Sequence, residues 1–175
     1  DVLVLAGSIP SRMPQSIYRD IMSRLQSKRI KIAVDATKDL LLNVLKFHPF
    51  LIKPNNHELG EMFGVVLKSD DEIVEYAKKL QVMGARNVLI SMAGDGAILI
   101  TETGEVHKIG VPKGTVVNSV GAGDSMVAGL IYGIEKGLSQ ADTLAFASAV
   151  SAFAVSQSNV GVSDTALLEP ILANV

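Results

Sequence analysis

The 175 residues carry a formal net charge of −2, with 48% hydrophobic and 19% charged side chains; this balance fits a globular chain with one sizeable core and excludes a disordered one. Lys and Arg are scattered rather than striped, so nothing asks for nucleic acid or an anionic membrane as a partner. Without cysteine disulfides and thiolate metal sites are excluded, and no bilayer-spanning apolar run or signal peptide is visible, which makes the cytoplasm the expected location.

Taken in order, the elements alternate. The chain opens without methionine on DVLVLAG, which reads as a fully buried strand with neighbours on both sides, as in a piece of something longer. Pro14 to Ser27 places Ile17, Ile21, Met22 and Leu25 at helical spacing. IKIAVD is a second strand, and the leucine-rich Lys38 to Leu45 a second helix. FLIKPN is a short strand stopped by Pro54, and Asn55 caps a helix expected through Met62. Asp70 and Asp71 open the next helix, which runs to Met83 with Gly84 past its end. NVLISMA is a strand, and GAILITETGEVHKIGV a hairpin turning at Thr103-Gly104. VVNSVGAGDSMVAGL then leads into a helix. A long Ala-Ser-rich helix from Ser139 to about Ser156 follows, then a glycine-containing loop and a final helix from Asp164. Strands alternating with helices predict right-handed crossovers in one α/β domain, with a largely parallel sheet and helices on both faces.

Ligands of such sheets bind where loops leave the carboxyl ends of strands. Five loops qualify: Gly7 to Pro10, Asp35 to Thr37, Lys53 to Glu58, Ser91 to Gly96 and Gly121 to Asp124. The predicted topology puts all five on one edge. At Gly121-Ala122-Gly123-Asp124, glycines allow close backbone approach, and a helix start offers unpaired N–H groups to an anion. The same field favours ionised Asp124, which can take a hydroxyl proton as that oxygen attacks phosphorus. The plainer alternative is an acid sitting in a first helical turn because it is favoured there. Asn55-x-x-Glu58 places an amide and a carboxylate on one helical face, suited to a phosphate oxygen and to Mg²⁺ held through water. A cap plus a first-turn acid explains the same pair. Lys53 reads as a solvated strand-end lysine, and Ser91 to Gly96 as a tight turn against which a nucleotide can lie. His48, His57 and His107 lack zinc-site spacing.

In order and spacing these loops are similar to the C-terminal portion of the ribokinase-like (PfkB-type) carbohydrate kinases. VVNSVGAGDSMVAGL resembles that family's second signature, NNHELGEMFG with its Lys-Pro lead the Asn-x-x-Glu magnesium motif, and SMAGDGA the nucleotide turn. AGSIP is similar to the Ser-Gly-Ser-Leu-Pro loop of the phosphosugar branch. The resemblance implies ATP-dependent phosphoryl transfer to a hydroxyl of a ketose phosphate, fructose 1-phosphate first and tagatose 6-phosphate second. Asp124 would be the base, and Gly121, Ala122 and Gly123 the anion hole for the transferring phosphoryl group. Asn55 would contact nucleotide phosphates and Glu58 would organise Mg²⁺. Ser91, Met92, Ala93, Gly94, Asp95 and Gly96 would line the ATP site, with Ser148 and Ala152 near the adenine and Ser8 on the substrate side.

Three departures stand out. Ala93 replaces the first glycine of the nucleotide turn. Asn118 and Ser119 replace an Asp-Thr pair in a neighbourhood that, with backbone such as Val120, binds potassium in some relatives; activation by potassium stays open. The family's N-terminal strands, sugar-binding residues and β lid, which often doubles as the dimer interface, have no counterpart here. The resemblance thus implies the nucleotide-binding part of a longer, homodimeric kinase, inactive alone. Two rivals remain in view. A dinucleotide-binding oxidoreductase would need a third glycine where Met126 stands, and its acid, Asp142, at a strand end. A non-catalytic nucleotide- or sugar-binding protein of the same fold would not need Asp124.

Overall fold

Parallel strands linked by helices organise the computed structural model, which describes residues 1–158, 162 and 164–173. The elements are β1 (Val2–Ala6), α1 (Ile17–Leu25), β2 (Lys31–Asp35), α2 (Lys38–Leu42), β3 (Leu51–Ile52), α3 (Asn56–Phe63), α4 (Asp70–Val82), β4 (Asn87–Ser91), β5 (Ala97–Ile100), β6 (Val106–Ile109), α5 (Ala122–Glu135), α6 (Gln140–Val155) and α7 (Glu169–Leu172). The six strands follow chain order in one sheet. β1 to β4 are parallel, with Ala6 opposite Asp35, Val34 opposite Ile52 and Ile52 opposite Val88. No helix among the described residues is long and apolar enough to cross a membrane.

Several boundaries differ from the sequence pattern. α1 begins three residues late, because the Pro10–Met13 turn and the bond from Ile17 N–H to Pro14 carbonyl shape the approach. The leucine-rich run breaks after Leu42; a 3-10 turn over Leu45–Phe47 ends at His48 in the left-handed region, φ 54°. The last helix opens as a 3-10 turn, Thr165–Leu168, capped by Asp164. Pro170 has no N–H to return to that turn, so α-helical bonding cannot run through it. The glycine-containing loop expected before it, around Gly161, falls largely outside the described residues. The expectation for β1 is burial by neighbours on both sides within a longer protein. Within this chain it pairs with β2 alone, and Val4 is 43% exposed.

Two compact units emerge, Asp1–Ile90 with Leu99–Val106, and Ser91–Ile98 with His107–Val175. In the first, Val88, Leu89 and Ile90 of β4 are fully buried, with Leu59 of α3 and Ala77 and Leu80 of α4. Side chains latch the amino end of β4. Asn87 donates to the Phe50 carbonyl and accepts from the Glu102 N–H, 2.8 and 2.9 Å. Gln81 donates to the carbonyls of Arg86 and Thr101, and Arg86 grips Glu102 through two 2.8 Å bonds. That pairing holds the Glu102 carboxyl below its ordinary range and raises Arg86.

In the second unit α5 packs on α6 through small residues. A Cβ at Gly129 would lie 2.8 Å from the Ala147 Cα, and one at Gly133 would press on Thr143. The alanine-rich α6 meets this close approach with Thr143, Ala147 and Val150.

Candidate active site

The first unit carries three of the expected loops at the carboxyl ends of β1, β2 and β3, one edge by their parallel register. Gly7 N–H bonds the Asp35 carbonyl at 3.1 Å, and Tyr18 donates to the carbonyls of Ala6 and Gly7. Burial, and then the Asp35 charge, push the Tyr18 hydroxyl above its ordinary pKa. Lys53 is not the solvated lysine expected. Its ammonium pairs with Asp35 at 3.2 Å, and the two side chains are 9% and 20% exposed. Such a pair adds little net stability but is costly to break on one side; it holds the end of β3 against the end of β2. Ser8 is exposed.

Two residues farther on, Asn55 caps α3. Its Oδ1 accepts the Glu58 N–H while Glu58 Oε2 accepts the Asn55 N–H, both at 2.8 Å. This reciprocal capping box realises the structural alternative for the Asn-x-x-Glu motif. It engages one oxygen of each side chain, so the Asn55 amide N–H₂ and the second Glu58 oxygen remain for a ligand. No group of three or more His, Cys, Asp or Glu among the described residues could hold a metal alone. A single half-buried carboxylate nevertheless fits magnesium, which takes one or two carboxylates and completes its shell with water and substrate phosphates.

Lys38, just past β2, has φ 48°, a region that costs a side-chain-bearing residue on the order of 1–2 kcal/mol. Its Nζ reaches Glu61 of α3 at 3.2 Å, in a pair 67% and 57% exposed. Such an exposed pair contributes about 0.2–1 kcal/mol.

In the second unit, Ser91 to Gly96 form a tight turn. Met92 N–H bonds the Gly96 carbonyl and Asp95 N–H the Met92 carbonyl, around a 3-10 turn over Ala93–Asp95. Ala93, Gly94 and Asp95 are exposed, whereas Met92 is buried and offers a ligand its backbone alone. Gly96 has φ 90°, and a Cβ there would strike the Ile109 carbonyl oxygen. Ala93, standing where many relatives have glycine, also has positive φ, 48°.

Gly121 turns the chain into α5 with φ 80°, ψ 0°. No side chain caps this helix. Among the described residues the N–H groups of Gly123 and Asp124 meet no acceptor, and Asp124, third in the helix, is exposed. Asp124 thus stands in the first turn, where the field of the helix favours an acid. Asn118, the unexpected residue upstream, accepts the Val120 N–H at 3.0 Å, an Asx turn that bends the chain towards Gly121. The Val155 carbonyl receives the N–H groups of both Val117 and Asn118.

Two serines of α6 brace these loops. Ser148, expected near a nucleotide base, is buried, and its hydroxyl donates to the Gly110 carbonyl at 3.1 Å. Ala152 is half-buried. Ser151, which the sequence reading missed, donates to the Ala122 carbonyl at 3.0 Å and so grips the first turn of α5. Its signal was a second hydroxyl three residues after Ser148 in an apolar helix; a buried hydroxyl must find an acceptor.

The oxidoreductase alternative fails on geometry. Met126 is buried within α5, and Asp142 lies in the first turn of α6, bonded to its cap Ser139.

Comparison with known proteins gives a concordant picture. The model of the pfkB family of carbohydrate kinases matches residues 1–166. The chain is 47% identical over its whole length to a 1-phosphofructokinase of Haemophilus influenzae, of which it covers 56%. It is 50% identical over 79% of its length to that of Bacillus subtilis, covering 45% of that protein. The chain thus spans about half the length of the relatives it matches. A candidate phosphofructokinase structure from Staphylococcus aureus superposes with a TM-score of 0.91 at 37% identity, over 99% of this chain and 56% of that one.

Proposed function

The chain belongs to the pfkB family of carbohydrate kinases, and from that premise we propose that it is the nucleotide-binding part of an ATP-dependent kinase converting fructose 1-phosphate to fructose 1,6-bisphosphate. The start of α5 carries the reading: an uncapped, glycine-flanked helix N-terminus with an exposed carboxylate at its third position. Relatives named 1-phosphofructokinase at 47% and 50% identity support this substrate over tagatose 6-phosphate.

In this reading Asp124 takes the proton of the acceptor hydroxyl as its oxygen bonds the γ-phosphorus and the bond to the ADP oxygen breaks. The N–H groups of Gly123 and Asp124 stabilise negative charge on the transferring phosphoryl oxygens, and Gly121 and Ala122 keep the approach open. The Asn55 amide would donate to a nucleotide phosphate, and the second Glu58 oxygen would hold magnesium through water. When bound, that metal neutralises phosphate charge during transfer. Ser91 and the Ala93–Gly96 turn present backbone to the nucleoside, beside Ala152, and Ser8 faces the sugar. The full-length protein acts as a cytoplasmic homodimer. The deciding experiment is a coupled assay of that protein with fructose 1-phosphate and tagatose 6-phosphate. Higher kcat/KM for fructose 1-phosphate is expected; preference for tagatose 6-phosphate overturns the substrate, and turnover of neither overturns the kinase.

A further inference from the structure

We propose that Tyr18 is a positioning residue for the phosphosugar, its buried hydroxyl fixing the two peptide planes that aim Ser8 at the substrate. The proposal rests on the function read above, in which Ser8 faces the sugar, and adds the residue that sets the direction of that loop. Gly7 is the first residue past the β1–β2 ladder, whose last pair is Ala6 opposite Asp35. Its N–H bonds the Asp35 carbonyl at 3.1 Å, and its φ of 86° turns the chain out of the sheet. The carbonyls on either side of that turn, those of Ala6 and Gly7, share one donor. It is the Tyr18 hydroxyl, at 2.7 and 3.0 Å.

A buried tyrosine hydroxyl is satisfied by a single acceptor. Tyr18 has one proton to give and spans two. The residue is 9% exposed, and Met22, one turn on along the same face of α1, is 2% exposed; the hydroxyl is therefore carried by the anchored side of the helix. Burial and the Asp35 charge hold it above its ordinary pKa, so it remains a donor through the neutral range. The Gly7 N–H is held from β2 and both flanking carbonyls from α1, which fixes the planes about the Gly7 α-carbon from two sides. The next residue, the exposed Ser8, takes its direction from them. The carboxyl ends of β1 and β3 lie two strand spacings apart, about 10 Å, close enough for the Ser8 loop and Asn55 to serve one small-molecule site. A loop held in place before binding spares the substrate the cost of ordering it.

Tyr18→Phe, made in the full-length enzyme, keeps the ring and removes the hydroxyl. The KM of whichever ketose phosphate the wild type turns over, fructose 1-phosphate or tagatose 6-phosphate, is expected to rise about fivefold, with kcat and the KM of ATP within about twofold. A sugar KM within about twofold of wild type overturns the proposal, and so does an equal rise in both KM values, the mark of general loosening. In a Ser8→Ala background the Tyr18→Phe increase should shrink to within about twofold, because residues acting through one contact are not additive. An undiminished increase there overturns the proposal too. Hydrogen exchange at the amides of Ser8, Ile9 and Ser11 reads the loop without turnover. Faster exchange in Tyr18→Phe, with β2 and β3 unchanged, supports the positioning even if neither sugar is turned over, and unchanged exchange refutes it.

Discussion

Two helix starts carry the motifs that matter, and they are built in opposite ways. α3 opens on a closed capping box, in which Asn55 and Glu58 satisfy each other's N–H groups. α5 opens on Gly121 in the left-handed region with no cap, and Ser151 braces it from behind through the Ala122 carbonyl. Uncapped N–H groups at a helix start are ordinarily satisfied by side chain, water or ligand. The same sequence logic, an acid in the first turn of a helix, thus describes a capping box in one place and an uncapped helix start in the other, which we propose as the anion site. Only the hydrogen bonds distinguish them.

The largest test of this contrast is Asp124→Asn in the full-length enzyme. A fall in kcat of about 10²–10⁴ is expected from loss of a general base, with the melting temperature unchanged because the residue is exposed and caps nothing. A drop in melting temperature without loss of turnover would make α5 a second structural cap. Next comes Asn55→Ala, which removes the acceptor of the α3 cap and should destabilise by about 1 kcal/mol, within the usual range of 0.5–2. Glu58→Gln sharpens the point, since glutamine also serves a capping box. Its stability should match wild type while its magnesium requirement rises; unchanged magnesium dependence would leave Glu58 a purely structural residue.

The smallest effect concerns the latched amino end of β4, where polar groups are spent on structure. Glu102 has its folded-state pKa lowered by Arg86. Its contribution is therefore complete above the ordinary carboxylate range and is lost as pH falls through the lowered folded value. Glu102→Gln should cost no more than about 1 kcal/mol, because the pair is exposed. Chemical denaturation at neutral pH and near pH 3 checks the sign: the gap between wild type and variant should close in acid.

Much of the fold was legible because periodicity and punctuation agree. The helices read over Pro14 to Ser27 and Asp70 to Met83 appear as α1 and α4 with shorter bounds, and the Thr103-Gly104 turn follows from turn chemistry. One point was not legible. Lys53 reads as solvated, since a lysine at a strand end usually is; the carboxylate that buries it comes from Asp35, eighteen residues earlier in the chain.

Alone, the sequence determined the α/β class, the order of the loops and the glycines at positions 96 and 121, because these depend on local chemistry and local sterics. Tertiary structure decided which first-turn acid closes a cap and which is left open, which lysine is buried, and that Ser151 rather than a loop residue braces α5. Those outcomes rest on partners distant in sequence, whose distance and burial no local pattern encodes.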